Sequence, residues 1–288
     1  MKTIDLHVHS NFSDGTYKPE ELVDLAVEKG LAAFALTDHD SVGGVENALA
    51  ACEQKNAPLQ VIPGTEISTD YEGHDIHIVG LFIDYHNEEF VQKTRLFVER
   101  RKNRNTQMIE NLQKAGIPIT MEDLIAGNPD TVITRAHFAK YLISHNVVKE
   151  AKEAFTVYLG EDTPYYVPRA RMKSTDGIKL ILQAGGIPIL AHPMHYKLEE
   201  DMLRRMIQEF KDAGLVGMEV MYSNHFPEDD IFVAKLAREY ELLPSGGSDF
   251  HGSNKPAISI GSGRGNLEIP YEFLETLAAY GNYPLFPH

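Results

Sequence analysis

Residues 31–37, Leu-Ala-Ala-Phe-Ala-Leu-Thr, run as an unbroken apolar stretch between a helix stop at Gly30 and the polar cluster Asp38-His39-Asp40. A strand covered on one face alternates apolar and polar residues, whereas one covered on both faces reads like this stretch. Such a strand set between helical stretches points to a parallel sheet with helices on its faces. The pattern recurs along the chain. Residues 3–9 read as a strand, followed by a helix that opens at Pro19-Glu20-Glu21, with Pro in the first turn and acids where the helix dipole favours them. A second helix is expected over 42–55, and strands over 59–62 and 74–83. The second half repeats the rhythm, with strands at 187–191, 216–221 and 242–248 and helical spacing at 174–184, 199–213, 227–240 and 271–280. These are roughly seven strands in an α/β fold, either an open sheet or a closed barrel.

Between residues 88 and 165 the period changes. Helical spacing over 88–115, 121–127, 134–145 and 150–158 is more polar and carries no strand signal. The expected organisation is therefore a β/α body from residues 1–87 and 166–288, interrupted by a helical insertion at 88–165 that covers the active site. The cations Arg95, Arg100, Arg101, Lys102 and Arg104 alternate with acids such as Glu99, so this row reads as a solvated helix face, not a nucleic-acid patch.

Charge excludes some functions. The chain has 42 acidic and 27 Lys/Arg residues, a formal net charge of -15, so long nucleic acid is not an expected partner. The lone Cys52 excludes an internal disulfide and fits a reducing compartment. No apolar run approaches the roughly 18 residues of a membrane span, and the sequence enters its first strand without a signal peptide. The expected location is cytoplasmic, with no membrane partner.

The polar residues gather where strands end. In an extended chain residues i and i+2 share a face, so His7 and His9 point one way while Leu6 and Val8 point the other. Asp14 follows in a Ser-Asp-Gly turn. Later strand ends add His39, Glu66, His77, His192, Asp249 and His251. A divalent ion takes about four to six ligands, some of them water. Six imidazoles and three carboxylates exceed that and suit two or three ions with a bridging carboxylate. Mixed nitrogen and oxygen donors favour Mn, Fe or Zn.

Taken together, His7-x-His9-Ser10, Thr37-Asp38-His39-Asp40, Gly64-x-Glu66, His77, Ala191-His192-Pro193 and Ser248-Asp249-x-His251 resemble the PHP (polymerase and histidinol phosphatase) metallophosphoesterases. The resemblance covers about residues 1–85 and 185–255. It implies a distorted (β/α)7 barrel with a trinuclear metal centre, and the helical insertion resembles that of the family's nucleotide phosphoesterases. It also implies a division of ligands. His7, His9, Glu66 and Asp249 would hold one ion, Glu66 with His77 and His192 a second, and Asp14, His39 and His251 a third.

Such a site would hydrolyse phosphate esters, and direct attack on phosphorus by metal-bound hydroxide is the expected mechanism. No Ser or Cys stands beside a base, so no covalent intermediate is required. The leaving oxygen needs a proton, for which His225, Asp38 and metal-bound water are candidates; Asp38 reads better as a carboxylate that holds an imidazole in place. Arg135 and His137, at the start of an expected helix, are candidate phosphate contacts, as are Ser223, Asn224 and His225 after the 216–221 strand. The leading expectation is a phosphatase that converts a 3′,5′-nucleoside bisphosphate to the 5′-monophosphate and phosphate. A 5′-3′ exoribonuclease acting on short oligonucleotides and a histidinol phosphatase are alternatives. A non-catalytic metal-binding module is the alternative from another class.

Overall fold

The computed structural model describes residues 2–125, 128–168 and 171–285. The first half alternates β1 (Ile4–Val8), α1 (Pro19–Glu28), β2 (Ala33–Leu36), α2 (Val45–Gln54), β3 (Gln60–Tyr71) and β4 (His74–Leu81). A helical stretch follows: α3 (Glu88–Lys114), α4 (Met121–Ile125), α5 (Arg135–Ser144), α6 (Ala151–Ala154) and a π-helical turn at Phe155–Leu159. The helix expected over 121–127 runs to Ile125; residues 126 and 127 lie outside the described residues. The chain returns through β5 (Met172–Lys173), α7 (Ser174–Gln183) and β6 (Ile187–Leu190), then α8 (Glu200–Ala213) and β7 (Gly217–Tyr222). It finishes with α9 (Pro227–Glu239), β8 (Leu243–Gly247) and α10 (Tyr271–Gly281).

Seven strands follow one another in the order β1-β2-β3-β4-β6-β7-β8, with the short β5 paired to β3. The ends of that row meet. His9 N donates to Phe250 O at 3.0 Å and Asp249 N donates to His7 O at 2.9 Å, closing the sheet into a seven-stranded barrel. The expected all-parallel sheet is modified at β4, which runs antiparallel to both β3 and β6. The cause is local. Tyr71 pairs with His74 across Glu72-Gly73, whose φ angles of 49° and 86° define a tight hairpin turn, and a two-residue turn joins only antiparallel strands.

Two extra residues aim side chains into the barrel. In β1, Leu6 and His7 together oppose Ala35 of β2, a bulge between Asp5 and Val8. Below it Ile4 and Leu6 join the interior cluster with Ala33, Ala35, Ile62 and Val79. Above it Val8 packs outward with Phe34, Leu36 and the helices α1 and α2. The bulge switches the inward face from the even to the odd residues and delivers His7 and His9 inside. In β7, Val220 is the extra residue between the pairs Glu219–Ser245 and Met221–Gly246. Close approach of β8 to β1 requires glycine at 247, where an added Cβ would overlap the Cβ of His7.

A third layer packs α7, α8 and α9 outside β3, β4 and β7 through Ile178, Met206, Phe210 and Leu236. α10 covers the interior cluster through Leu274 and Leu277. The helical stretch after β4 has its own core, centred on Met108, Leu112, Phe138, Leu142 and Leu159. Among the described residues no helix is long and apolar enough to cross a membrane.

Candidate metal centre

All nine residues singled out at strand ends converge on the barrel mouth. Glu66, on β3 and 1% exposed, is their hub. Its Oε1 lies 2.8 Å from His77 Nδ1 and 3.0 Å from His192 Nε2. Its Oε2 faces His39 Nδ1 at 3.0 Å, His7 Nε2 at 3.2 Å and His9 Nε2 at 3.3 Å. Asp249 Oδ1 lies 3.2 Å from His251 Nδ1 and 3.4 Å from His9 Nε2. Asp14 Oδ1 lies 3.1 Å from His251 Nε2 and 3.7 Å from His39 Nε2.

Three overlapping groups bring ligand atoms within 4.8 Å of one another: His9, Asp14, His39 and His251; His7, His9 and Glu66; and His39, Glu66 and His77. His7 Nε2, His9 Nε2, His39 Nδ1, Asp14 Oδ1 and Glu66 Oε2 are buried without a hydrogen-bond partner. Buried polar atoms are ordinarily paired, and this set of orphans is made of the donors that bind divalent cations. The residues fit such ions.

The atoms facing away from the centre are held. His7 Nδ1 bonds Glu219 Oε1 at 2.7 Å, while Glu219 Oε2 accepts from His192 N at 2.6 Å. Tyr222 Oη and Lys255 Nζ donate to Asp249 Oδ2 at 2.7 and 2.6 Å, which leaves Oδ1 for the imidazoles. Backbone strain collects here too. Asp40, His192 and Asp249 have φ of 50°, 28° and 56°, a left-handed region costly for residues with a Cβ and tolerated where the surroundings impose it.

Charge is shared between the two residue types. Burial opposes ionisation of Glu66, but His39, His77 and His7 outweigh it and hold its pKa well below the usual carboxylate range. Burial likewise opposes the charge on Asp14, which His251 and His39 outweigh, and on Asp249, which Lys255 and His251 outweigh; both lie well below the usual range. Burial also resists charging His9, yet Asp249 and Glu66 raise it to about 9; Glu66 and Asp75 raise His77 against the same burial to about 10. His39 is lowered to about 3, chiefly by burial. The metal-free centre thus holds ionised carboxylates beside a mixture of protonated and neutral imidazoles.

Beside these groups lies a cavity of about 380 Å³. Asp14, His39, Glu66, His77, His192 and Asp249 line it, together with the cations Arg101, Arg104, Arg135, Arg171 and Lys255, the acid Asp75 and aromatic residues such as Phe155 and Tyr196. The Arg135 guanidinium sits 5.8 Å from the Phe155 ring centre and 5.6 Å from that of Tyr166, and pairs with Asp75 at 3.4 Å. Asn224 also lines the cavity, its amide oriented by Arg264 Nε at 2.8 Å.

The other candidates stand elsewhere. Asp38 is not in the cavity wall; its carboxylate accepts from Ser10 N, Ser10 Oγ and Ser13 Oγ at 2.8, 2.6 and 2.6 Å, and so holds the loop after β1. Ser223 Oγ donates to Ser248 O at 2.6 Å, tying the ends of β7 and β8. His225 Nδ1 meets Asp230 Oδ1 at 2.9 Å, and His137 Nδ1 accepts from Thr134 N at 3.1 Å, completing the cap of α5. None of these three lines the cavity. The sequence reading missed Glu219, Arg171 and Lys255 and took Arg101 and Arg104 for solvated cations.

A β/α barrel whose mouth gathers imidazoles around a central carboxylate, beside a cavity that also presents arginines, defines a metallohydrolase for anionic substrates. The chain belongs to the PHP family: the PHP domain model matches residues 5–161. Related proteins include the 5′-3′ exoribonuclease of Haemophilus influenzae, 37% identical over 87% of this chain and 90% of its own length. The 3′,5′-nucleoside bisphosphate phosphatase of Chromobacterium violaceum is 35% identical over 91% of each chain. Among solved structures, an amidohydrolase from Chromobacterium violaceum with bound sulfate and no metal superposes with a TM-score of 0.86 at 34% identity, covering 96% of each chain. One from Bifidobacterium adolescentis, provisionally assigned as a metal-dependent phosphoesterase, superposes at 0.84 with 29% identity over 96% of each chain. The chain is a hydrolase of phosphoester bonds.

Proposed function

We propose that the enzyme is a phosphatase of 3′,5′-nucleoside bisphosphates, releasing the 3′-phosphate and leaving the nucleoside 5′-monophosphate. The observation that carries this reading is a single cavity whose wall contains both candidate metal ligands and the guanidinium groups of Arg104, Arg135 and Arg171. One phosphate would meet the metals and the other the guanidinium groups. At about 380 Å³ the cavity is at the small end of the roughly 300–1,000 Å³ of ligand pockets, which suits a mononucleotide.

In this reading His7, His9, Glu66 and Asp249 hold one ion, Glu66 with His77 and His192 a second, and Asp14, His39 and His251 a third; Mn, Fe or Zn suits these donors. Bound ions of this kind lower the pKa of water and neutralise charge on the phosphoryl oxygens. Glu219, Tyr222 and Lys255 keep the ligands oriented, and Arg135, stiffened between two rings, grips the second phosphate. The water oxygen bonds to phosphorus, the bond from phosphorus to the 3′ oxygen breaks, and that oxygen takes up a proton. Residues 88–165 act as an insertion over the site, supported by the part that Arg101, Arg104, Thr134, Arg135 and Phe155 take in its wall. The absence of a membrane-length helix among the described residues is compatible with a cytoplasmic enzyme.

A panel assay with Mn(II) tests the substrate. Bisphosphoadenosine should be turned over far faster than histidinol phosphate or 5′-phosphorylated tetranucleotide. The names of the Haemophilus influenzae relative and of its Escherichia coli counterpart, 36% identical over 86% of this chain, favour 5′-3′ exoribonuclease action as the second reading. Equal turnover of tetranucleotide and bisphosphate would establish that reading instead. Arg135→Ala should raise KM about 10- to 100-fold for the bisphosphate, the worth of a charged hydrogen bond. A matching rise for a nucleoside 3′-monophosphate would remove Arg135 from the second phosphate.

Metal uptake should be proton-linked. His9 and His77, with pKa values of about 9 and about 10 in the metal-free protein, must lose protons to become ligands. Metal affinity should therefore climb from neutral pH toward pH 9, by about tenfold per pH unit for each proton displaced. Calorimetry in two buffers of different ionisation enthalpy counts the released protons; a count of zero at pH 7 contradicts the assignment of these two residues.

A further inference from the structure

Asp14 has its two carboxylate oxygens in different company. Oδ1 has no hydrogen-bond partner and faces His251 Nε2 at 3.1 Å, His39 Nε2 at 3.7 Å and His9 Nδ1 at 3.9 Å. Oδ2 accepts a 2.8 Å hydrogen bond from Thr134 Oγ1, with both groups buried. Thr134 is 120 residues away in sequence and caps α5. Its hydroxyl oxygen accepts from Ala136 N at 3.2 Å, and His137 Nδ1, 3.5 Å from that oxygen, already accepts from Thr134 N at 3.1 Å, so the single hydroxyl proton goes to the nearer Asp14.

This contact is the last of a series by which one stretch clasps the loop after β1. Asn128 Nδ2 donates to Asn11 O at 2.7 Å, Thr131 Oγ1 to Ser13 O at 2.6 Å, and Val132 N to Phe12 O at 2.8 Å. From the opposite side Asn254 Nδ2 donates to Asp14 O at 2.7 Å. The backbone of the loop is thus held, and the orientation of the Asp14 carboxylate is left to its side-chain torsions, of which the last is the softest. That torsion has a broad, shallow profile, so a hydrogen bond on one oxygen decides where the other points.

We propose that Thr134 is a positioning residue for the ion held by Asp14, His39 and His251, which makes the helical stretch a component of the metal centre as well as a wall of its cavity. The proposal rests on the metal-centre reading above. A hydrogen-bonded neighbour that orients a ligand is typically worth about 10- to 100-fold in metal affinity. The adjacent Arg135 reaches the cavity, so the same helix start serves ion and substrate.

The test is titration of metal-free protein with Zn(II) against a chromophoric chelator, with melting temperature measured in parallel. Wild type should take up two or three equivalents. Thr134→Val should weaken one equivalent by about 10- to 100-fold and leave the others within about threefold, while Thr134→Ser should restore all of them. Because Val also removes the helix cap, Thr134→Gly provides the second variant: glycine is a tolerated cap residue but has no donor, so it should reproduce the metal defect. If Val and Gly bind every equivalent like wild type and only the melting temperature falls, Thr134 is a cap and the proposal is overturned. If wild type itself takes up no divalent ion, the metal-centre reading fails with it, a result that cannot be confused with the first.

Discussion

Glu66→Gln should abolish turnover, lowering kcat/KM by about a thousandfold or more, and should strip the enzyme of more than one metal ion. The substitution keeps shape and removes charge. In the wild type both carboxylate oxygens are used: Oε1 lies within 3.0 Å of His77 and His192, and Oε2 faces His39, His7 and His9 at 3.0 to 3.3 Å. An amide offers an oxygen to one side only and turns an N–H donor group toward the other. A bound divalent ion supplies several kcal/mol of transition-state stabilisation, and each 1.36 kcal/mol is about tenfold in rate. Metal content by mass spectrometry and rates on the preferred substrate check the prediction together. Full metal content with a rate within about tenfold of wild type would show that Glu66 does not bridge. The metal-free protein gives a second readout. Since the folded pKa of Glu66 is depressed below its ordinary value of 4.5, its charge stabilises the fold above pH 4.5 and that contribution is lost as pH falls through the folded value. Glu66→Gln lacks this term, so its stability should fall less steeply on acidification.

The candidate ligands that meet at the barrel mouth were legible because the information for them is local. His7 and His9 obey the two-residue period of a strand, and Asp14, His39, His192, Asp249 and His251 follow strands beside turn-forming residues. The means of pointing them inward was not local. The bulge at Leu6-His7 exists only against Ala35 of β2, and nothing in Ile4–Val8 alone announces it. The hairpin at Glu72-Gly73 was signalled more weakly than an Asn-Gly or Asp-Gly turn would have been. Glu219 did leave a trace: a lone carboxylate in the apolar run Gly217–Tyr222 is costly unless it has a partner, and the partner is His7. Arg101 and Arg104 left one too. The buried face of α3 runs through Phe90, Thr94, Phe97, Arg101, Arg104 and Met108, so both arginines continue an apolar stripe at helical spacing. Reading them by charge, with their exposed neighbours Arg100 and Lys102, hid that periodicity.

Arg101→Met should cost about 3–5 kcal/mol of stability in the metal-free protein, the usual penalty for breaking a buried ion pair from one side. Arg101 is 6% exposed and Asp40 is fully buried. Arg101 Nε donates to Asp40 Oδ2 at 2.7 Å and a terminal nitrogen reaches the same oxygen at 2.6 Å, while also donating to Ser68 Oγ at 2.7 Å. Ser68 N donates to Asp40 Oδ1 at 2.9 Å, so α3, the loop after β2 and β3 meet in one closed network. Methionine preserves much of the volume and takes the Arg101 guanidinium away from the buried Asp40 charge. That charge sits at a φ of 50°, directly after His39, so relief by backbone movement would displace a candidate ligand. Adding Asp40→Asn to Arg101→Met should recover most of the loss, because the penalty comes from the stranded charge more than from the missing attraction. Urea unfolding of the metal-free wild type, both single variants and the double variant closes the cycle. A loss below about 1 kcal/mol in Arg101→Met, the worth of an exposed pair, would mean that water reaches Asp40 and that α3 is not anchored through it.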